Sequence, residues 1–208
     1  MDNCKQQNNI MLDLETLSTD SNAVILVIAA IRFNRKEITE WNPQSCNQSV
    51  LSNLDTFYRR IYINSCVELG MDINESTENW WNNLPDDIKY ESLINPDRVR
   101  IQQGLYEFSK WVNETNNNKI WGNGSSFDCV ILKNAYKNAK LKCPWKYWNE
   151  RDLRTMVDIS NIKKHELPQF EEKHNAIYDC YYQIITLAEC FKRLNINYGI
   201  IFKSTRKI

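Results

Sequence analysis

The sequence lacks several features that would assign a protein to a class at once. Only two of its 208 residues are histidine, and its seven cysteines form no C-x-x-C pair, so no recognisable zinc site or disulfide framework is indicated. No stretch approaches the roughly 18 to 20 consecutive apolar residues of a membrane span, and the first residues lack the apolar centre of a signal peptide. We therefore expect a cytoplasmic protein with reduced thiols and no membrane partner.

An excess of charge of either sign is also missing, because 26 basic residues are balanced by 26 acidic ones. The chain as a whole therefore does not have the polybasic character by which a protein coats nucleic acid through counterion release. A neutral chain is still compatible with a nuclease, because carboxylates gathered at a metal site offset basic residues elsewhere. Any binding of nucleic acid is expected to be local.

The order of the periodic segments predicts one layered domain of the α/β or α+β class over residues 1–208. Three strand patterns come first and are joined by a turn at 18–22 and a polar loop at 42–53, so an antiparallel meander is the simplest arrangement; the strands are 10–14, 23–33 and 56–63. Helical patterns predominate after them, at 76–83, 96–114 and 175–195, with two strand-then-helix pairs at 119–140 and 148–159. Ser125 or Ser126 is the expected N-cap of the helix that ends near Lys140.

Two acidic residues stand on the first predicted strand. Asp13 and Glu15 are two positions apart, so they share one face of the strand, with Leu12 and Leu14 on the other. Two carboxylates on one sheet face are costly without positive charge nearby, and Mg²⁺ or Mn²⁺ prefers such oxygen ligands. A solvated strand edge is the commoner explanation of such a pair taken alone.

Two later segments carry further candidates. Asp128 follows a strand and the glycine turn 122–124, where functional groups collect at the carboxyl edge of a sheet, although a charge at a helix N-terminus is the alternative explanation. His174 and Asp179 are separated by four residues where the chain enters the C-terminal helix. That offset would put them on different helix faces, so we expect His174 in a loop before the helix; an exposed or capping histidine is the alternative.

In this order, the D-x-E pair, the central aspartate and the H-x(4)-D pair resemble the DEDDh branch of the DEDD exonucleases. The resemblance covers residues 10 to about 190 and is strongest to the exonuclease A proteins of T-even-type phages and their bacterial exoribonuclease-like relatives. It rests on four segments: Leu12–Leu17, Trp121–Asp128, Trp148–Thr155 and His174–Asp179. The stretches 42–53 and 143–147 match no motif of this family.

The resemblance implies an α/β protein with an RNase H-like fold, in which a mixed sheet, formed by an antiparallel meander of three strands followed by parallel strands, is flanked by helices. It also implies a metal-dependent 3′ to 5′ exonuclease acting at the single-stranded 3′ end of DNA or RNA, in the host cytoplasm if a phage encodes it. His174 would be the general base, a role suited to an ordinary pKa of about 6.5. Two Mg²⁺ or Mn²⁺ ions would be held by Asp13, Glu15, Asp128 and Asp179.

Contacts with nucleic acid are expected from Asn123, in the glycine turn, and from Arg154. Arg154 has an alternative role in an ion pair with Asp152 or Asp158. Trp121 and Phe127 suit core packing better than base stacking. Of the pair Trp80 and Trp81, one ring is expected in the core and the other near the substrate.

Other functions remain open at this point. The same carboxylates would serve a two-metal phosphatase acting on small nucleotide esters, and the same fold would serve a catalytically silent nucleic-acid-binding module. A thiol enzyme using Cys180 is disfavoured, because Cys180 follows Asp179 on a helix and should point about 100° away from it. The sequence does not choose between DNA and RNA, and it does not fix the oligomeric state.

Overall fold

A computed structural model describes residues 8–41, 46–167 and 174–196. The strands of this part form one five-stranded mixed sheet in the order β3-β2-β1-β4-β5. β1 pairs antiparallel with β2 and β2 with β3, whereas β4 runs parallel to β1 and β5 parallel to β4. The predicted meander followed by parallel strands is confirmed. The strands are β1 (Asn9–Thr16), β2 (Ile25–Phe33), β3 (Thr56–Arg60), β4 (Lys119–Gly122) and β5 (Glu150–Asp152).

Helices fill most of the remaining described chain. None of those in the described ranges is long and apolar enough to cross a membrane. Short 3₁₀ turns occur at Ile38–Glu40, Tyr147–Asn149 and Lys164–Glu166, and a π-helical turn at Tyr90–Ile94. The α-helices are α1 (Gln48–Leu51), α2 (Ile63–Val67), α3 (Glu75–Asn82), α4 (Asp86–Lys89), α5 (Ile101–Val112), α6 (Asp128–Asn138), α7 (Leu153–Ser160) and α8 (Ala176–Arg193).

The core lies between the central strands and the long helices. All nine residues of β2 are buried, which explains why its sequence, ILVIAAIRF, does not alternate between apolar and polar residues. α8 packs on β1 and β2 through an apolar stripe that includes Ile184, Ala188 and Phe191. Each fully buried Leu, Ile or Phe side chain contributes about 1.5–3 kcal/mol, so this packing fixes where the first turn of α8 lies.

One charged residue of β2 is buried inside this core. The Arg32 guanidinium donates to Asp55 Oδ2 at 2.7 Å and to the Trp111 carbonyl oxygen at 2.5 Å, and it also bonds the Thr115 hydroxyl. Trp111 Nε1 donates to the other Asp55 oxygen at 2.7 Å. The buried positive charge is therefore paired with a carboxylate, and each of its three nitrogens donates a hydrogen bond, which is the condition under which a core tolerates it.

Two predicted elements are shorter than the sequence suggested. β3 ends at Arg60, and Ile61 makes only an isolated parallel bridge with Val99. This bridge holds the chain before residue 101 out of helical conformation, so α5 begins at Ile101 and the prediction that it starts at Pro96 was wrong. The backbone hydrogen bond from Tyr62 to the Val99 carbonyl, 2.8 Å, reinforces the bridge.

The expected cap of α6 was also wrong. The helix runs from Asp128 to Asn138, and its N-cap residue, Phe127, makes no capping side-chain bond. The Ser125 backbone N–H instead donates to Asp152 Oδ2 at 2.6 Å, which ties the glycine turn to β5. Within the predicted loop at 42–53, residues 42–45 lie outside the described chain, and the short helix α1, capped by the Asn47 side chain, was not predicted.

Candidate active site

Three carboxylates meet at the carboxyl end of β1. Asp13 and Glu15 come from one face of this strand, as their spacing predicts, and Asp179 comes from the first turn of α8. One oxygen from each of the three lies within 4.8 Å of the others. The packing of α8 on β1 and β2 brings them together, since the next residue, Cys180, places its sulfur 3.6 Å from the carbonyl oxygen of Met11.

The electrostatics of this cluster are unfavourable for carboxylates alone. Burial raises the pKa of Asp13 well above its usual range, and the neighbouring Asp128, Glu15 and Asp179 raise it further. Burial, with help from Asp179 and Asp128, raises the pKa of Glu15 to about 8. No ion pair within the described chain includes Asp13 or Glu15. Desolvated oxygen donors that repel each other fit a hard divalent cation such as Mg²⁺ or Mn²⁺.

Asp128 lies beside the three-carboxylate cluster, and its oxygens are not among those that converge within 4.8 Å. It is buried at the start of α6, and its Oδ1 accepts a hydrogen bond from the Leu14 backbone N–H at 3.2 Å. Burial raises the pKa of Asp128 to about 7, although backbone hydrogen bonds and the charge of Arg154 oppose the rise. Gly122 permits the close approach, because a Cβ there would lie 3.0 Å from Asp128 Oδ2.

A glutamine that the sequence analysis missed supports the cluster. Gln183 is one helical turn after Asp179 on α8, is buried, and donates from Nε2 to Asp13 Oδ1 at 2.7 Å. Its Oε1 is buried without a hydrogen-bond partner among the described residues. The signal was available, since residues i and i+4 share a helix face and a polar side chain there interrupts the apolar stripe of α8. Gln183 therefore fixes the orientation of Asp13.

His174 precedes α8, as predicted, in a backbone conformation with φ of +63° that residues other than glycine seldom adopt. Its ring packs edge-on against Trp80, with centroids 4.9 Å apart and planes at 84°. Trp81 is buried and donates from Nε1 to the Thr16 carbonyl oxygen at 2.8 Å, whereas Trp80 is 43% exposed. Burial divides the pair as expected, with Trp81 in the core and Trp80 partly exposed, whereas the expected place of one ring near the substrate stays a prediction.

A cleft of about 410 Å³ adjoins the acidic cluster. Phe127 lines it, so this ring is not confined to the core, whereas Trp121 is buried and donates from Nε1 to Asn9 Oδ1 at 3.1 Å. Threonine and serine hydroxyls line its polar side. The lining residues are Leu14, Glu15, Thr16, Thr19, Ser76, Thr77, Trp80, Trp81 and Phe127.

Asn123 and Arg154 are both exposed at the edge of this region. The Arg154 guanidinium lies against the glycine turn, where a Cβ on Gly124 would be 3.4 Å from Cζ. No ion pair joins Arg154 to Asp152 or Asp158 within the described ranges, and Asp152 instead caps α7 by accepting from the Thr155 N–H at 2.7 Å. The alternative structural role for Arg154 is therefore not the one the fold uses.

The geometry also disfavours a thiol enzyme. Cys180 is fully buried on the side of α8 that faces the sheet, and burial raises the pKa of its thiol well above the usual value. A reactive cysteine needs an accessible thiolate, and this environment suppresses it.

The mixed sheet, with acidic residues at the end of its first strand and on the crossing C-terminal helix, has the arrangement of an RNase H-like fold. The sequence model of the family described as "3'-5' exoribonuclease Rv2179c-like domain" matches residues 8–191, and the chain belongs to this family. The chain is therefore a 3′ to 5′ exonuclease.

Individual relatives agree with this assignment. The chain is 22% identical to a protein named exodeoxyribonuclease from Enterobacteria phage T4, over 86% of this chain and 87% of that protein. The structure is similar to cell-death related nuclease 4 (CRN-4), with a TM-score of 0.56 and 13% sequence identity. The match covers 88% of this chain but only 63% of the length of CRN-4. It is also similar to the nuclease domain of 3'hExo, a DEDDh family member bound to rAMP, with a TM-score of 0.50 and 11% identity over 90% of this chain and 94% of that domain.

Proposed function

We propose that this exonuclease removes nucleotides from single-stranded 3′ ends with the help of two divalent ions, Mg²⁺ or Mn²⁺. The observation that carries the proposal is the convergence of Asp13, Glu15 and Asp179 oxygens within 4.8 Å at a desolvated strand end. Such a cluster is unstable as three anions and becomes favourable when cations enter it.

Four carboxylates hold the ions in this proposal. Asp13, Glu15 and Asp179 supply the converging oxygens, and Asp128 supplies a fourth carboxylate from the start of α6. When bound, the ions supply Lewis-acid stabilisation of the charge that develops on the phosphoryl group. Gln183 would act through Asp13, since its amide donates to one Asp13 oxygen and so fixes the orientation of a carboxylate that would hold the cation.

His174 takes the proton from the attacking water. Its support is positional, because it lies just before the helix that carries Asp179 and packs against Trp80, which lines the same cleft as Glu15. An imidazole is the side chain best suited to accept a proton near neutral pH. Trp80 fixes the plane of the imidazole and so restricts where its nitrogens point.

The 3′-terminal nucleotide occupies the cleft beside the carboxylates, with its base against Trp80 or Phe127. Asn123 and Arg154, exposed at the glycine turn, contact the sugar-phosphate backbone. The sugar preference is open to experiment, since the family description names an exoribonuclease and the phage T4 relative is named an exodeoxyribonuclease.

The test is digestion of 5′-labelled single-stranded DNA and RNA of one sequence, each with Mg²⁺, Mn²⁺ or EDTA. A ladder of products shortening from the 3′ end, present only with metal, is expected, and the faster ladder identifies the preferred sugar. Oligonucleotides that stay intact while a mononucleotide ester is hydrolysed would favour the phosphatase. Oligonucleotides that bind but stay intact would favour the silent module.

A further inference from the structure

The stretch from residue 133 to residue 154 departs from the charge balance of the chain. It contains seven lysine or arginine residues and two acidic ones, whereas the whole chain has 26 of each sign. Both acidic residues are already engaged, because Glu150 pairs with Lys133 at 2.7 Å and Asp152 caps α7. Lys137, Lys140, Lys142 and Lys146 are exposed and take part in no ion pair within the described chain.

Two aromatic rings stand out of the surface in the same stretch. Tyr147 is 73% exposed and Trp148 is 60% exposed, and they pack edge-on with centroids 5.0 Å apart. Trp145 behaves differently, since it is buried and donates from Nε1 to Glu150 Oε1 at 3.0 Å. The Lys119 amino group bonds Asn149 Oδ1 at 2.7 Å. Trp145 and Asn149 therefore hold the stretch in place, and the exposed rings of Tyr147 and Trp148 between them do not pack in the hydrophobic core.

This surface leads toward the acidic cluster along β5. In the strand register, Arg151 of β5 pairs with Trp121 of β4, and Trp121 pairs with Met11 of β1. Arg151 Nη1 also donates to the Trp148 carbonyl oxygen at 2.9 Å. Two strand spacings and about five residues separate Trp148 from the level of Asp13, which corresponds to about 15–20 Å. Arg154, against the glycine turn, lies at the active-site end of β5.

We propose that the basic aromatic surface formed by Lys142, Lys146, Tyr147, Trp148 and Arg151 binds the single strand of the substrate on the 5′ side of the bond being cleaved. The inference rests on the proposed function, which places the 3′ end at Asp13. Exposed rings stack on bases of any sequence, and lysines neutralise the phosphates between them. A protein partner fits less well, because protein–protein interfaces are depleted of lysine.

The inference predicts a dependence on substrate length. With at least about 3.4 Å of strand per nucleotide, roughly five stacked nucleotides cover the distance from Asp13 to Trp148. A dinucleotide placed at the active site is too short to reach the basic aromatic surface. A substitution at Trp148 should therefore weaken the binding of longer substrates only.

Binding can be measured without hydrolysis, in EDTA, by fluorescence anisotropy of a labelled single strand of about 12 nucleotides. Trp148→Ala in the full chain should raise the Kd about 5- to 100-fold. Lys142→Ala combined with Lys146→Ala should lower the slope of log Kd against log salt by about 1.4. Matched controls are Tyr106→Ala and Lys110→Ala, which remove an exposed ring and an exposed cation from α5 and should leave the Kd unchanged.

Hydrolysis with Mn²⁺ gives the second readout. Trp148→Ala should raise KM for the longer strand and leave turnover of a dinucleotide unchanged. A Kd equal to that of the wild type, or equal losses on both substrates, would overturn the inference, as would a wild-type protein that does not bind the strand. If the wild type binds the strand through Trp148 but hydrolyses nothing with metal, the surface stands and the proposed function fails.

Discussion

Two ionisable side chains on adjacent strands of the same sheet, the buried Arg32 and the partly buried Asp13, have opposite electrostatic surroundings. Arg32 on β2 is matched by Asp55 at 2.7 Å and by further acceptors. Asp13 on β1 receives one amide hydrogen bond, from Gln183, and is surrounded by other carboxyl groups. Among the residues that the structure describes, Arg32 has a side chain of opposite charge beside it and Asp13 does not.

The difference separates a structural charge from a functional one. A balanced buried charge orders its neighbours and needs nothing from solution, whereas an unbalanced cluster destabilises the fold until a cation arrives. Strain of this kind is kept at sites that use it. Removing a charge should therefore have opposite effects at the two places, which can be tested directly.

The largest effect is expected on activity from Asp13→Asn. Without this carboxylate the site should lose at least about 10³-fold in kcat with Mn²⁺, the equivalent of about 4 kcal/mol of transition-state stabilisation. The metal-free protein should melt at the same or a higher temperature, because a buried repulsive charge has been removed. Single-turnover digestion and thermal melting in EDTA measure the two effects. Activity near the wild-type level would contradict the metal-site proposal.

The opposite result is expected from Asp55→Ala. It leaves the buried Arg32 guanidinium with only the exposed Glu114, 3.8 Å away, as a counter-charge, and it leaves Trp111 Nε1 without its acceptor. The free energy of unfolding should therefore fall by about 3–5 kcal/mol. Denaturant unfolding measures the loss, and activity per folded molecule should be unchanged.

Glu107→Ala is the matched control for that variant. It also breaks an arginine–carboxylate pair, Arg59 to Glu107 at 2.5 Å, but one at the surface, so a loss below about 1 kcal/mol is expected. If the free energy of unfolding falls equally in both variants, burial of the arginine does not make the Arg32–Asp55 pair more important than the surface pair. The contrast drawn between Arg32 and Asp13 would then be unsupported.

The sequence predicted the positions of the candidate acidic residues better than the ends of the helices and strands, for a physical reason. Asp13 and Glu15 share a face because a strand has a period of two, and this holds wherever the strand packs. The ends of elements were less predictable, since the late start of α5 depends on a bridge between Ile61 and Val99, 38 positions apart. Local periodicity does not contain such long-range contacts.

For the same reason, the sequence predicted only partly which aromatic residues are buried in the core and which line the cleft. Neighbouring tryptophans, Trp80 and Trp81, were expected to divide between core and cleft, but which ring is buried is decided by the hydrogen bond to Thr16, far away in the chain. The glycine turn placed Asp128 correctly at the start of α6, but its separation from the three converging carboxylates depends on the backbone of β1. The single-domain organisation over residues 1–208 stays a prediction.

A smaller effect should come from Gln183→Leu, which removes the hydrogen bond to Asp13 without removing a ligand. The affinity for Mn²⁺, measured by calorimetry, should fall about 10- to 100-fold, because groups that orient metal ligands have effects of this size. Gln102→Leu is the control, since Gln102 on α5 also has a buried Oε1 with no described partner. Equal Mn²⁺ affinity in the Gln183 variant and the wild type would remove Gln183 from the site.

The smallest effect expected is on the pH dependence of stability in EDTA. The pKa of Glu15 is about 8 and that of Asp128 about 7 in the folded protein, against about 4 in the unfolded chain. At pH values between about 4 and 8, the folded protein therefore binds more protons than the unfolded chain does. This contribution to stability is complete below about pH 4 and is lost as the pH rises through about 8.

The melting temperature in EDTA should consequently fall by at least about 4 °C between about pH 5.5 and pH 8.5. Millimolar Mg²⁺ should reduce the fall, because cations bind the deprotonated carboxylates and stabilise the fold that presents them. Glu15→Gln should flatten the EDTA curve, whereas Glu107→Gln, at the surface pair, should not. A melting temperature that stays level or rises with pH in EDTA would mean that the acidic cluster carries no repulsion, and Asp13 would then resemble Arg32 after all.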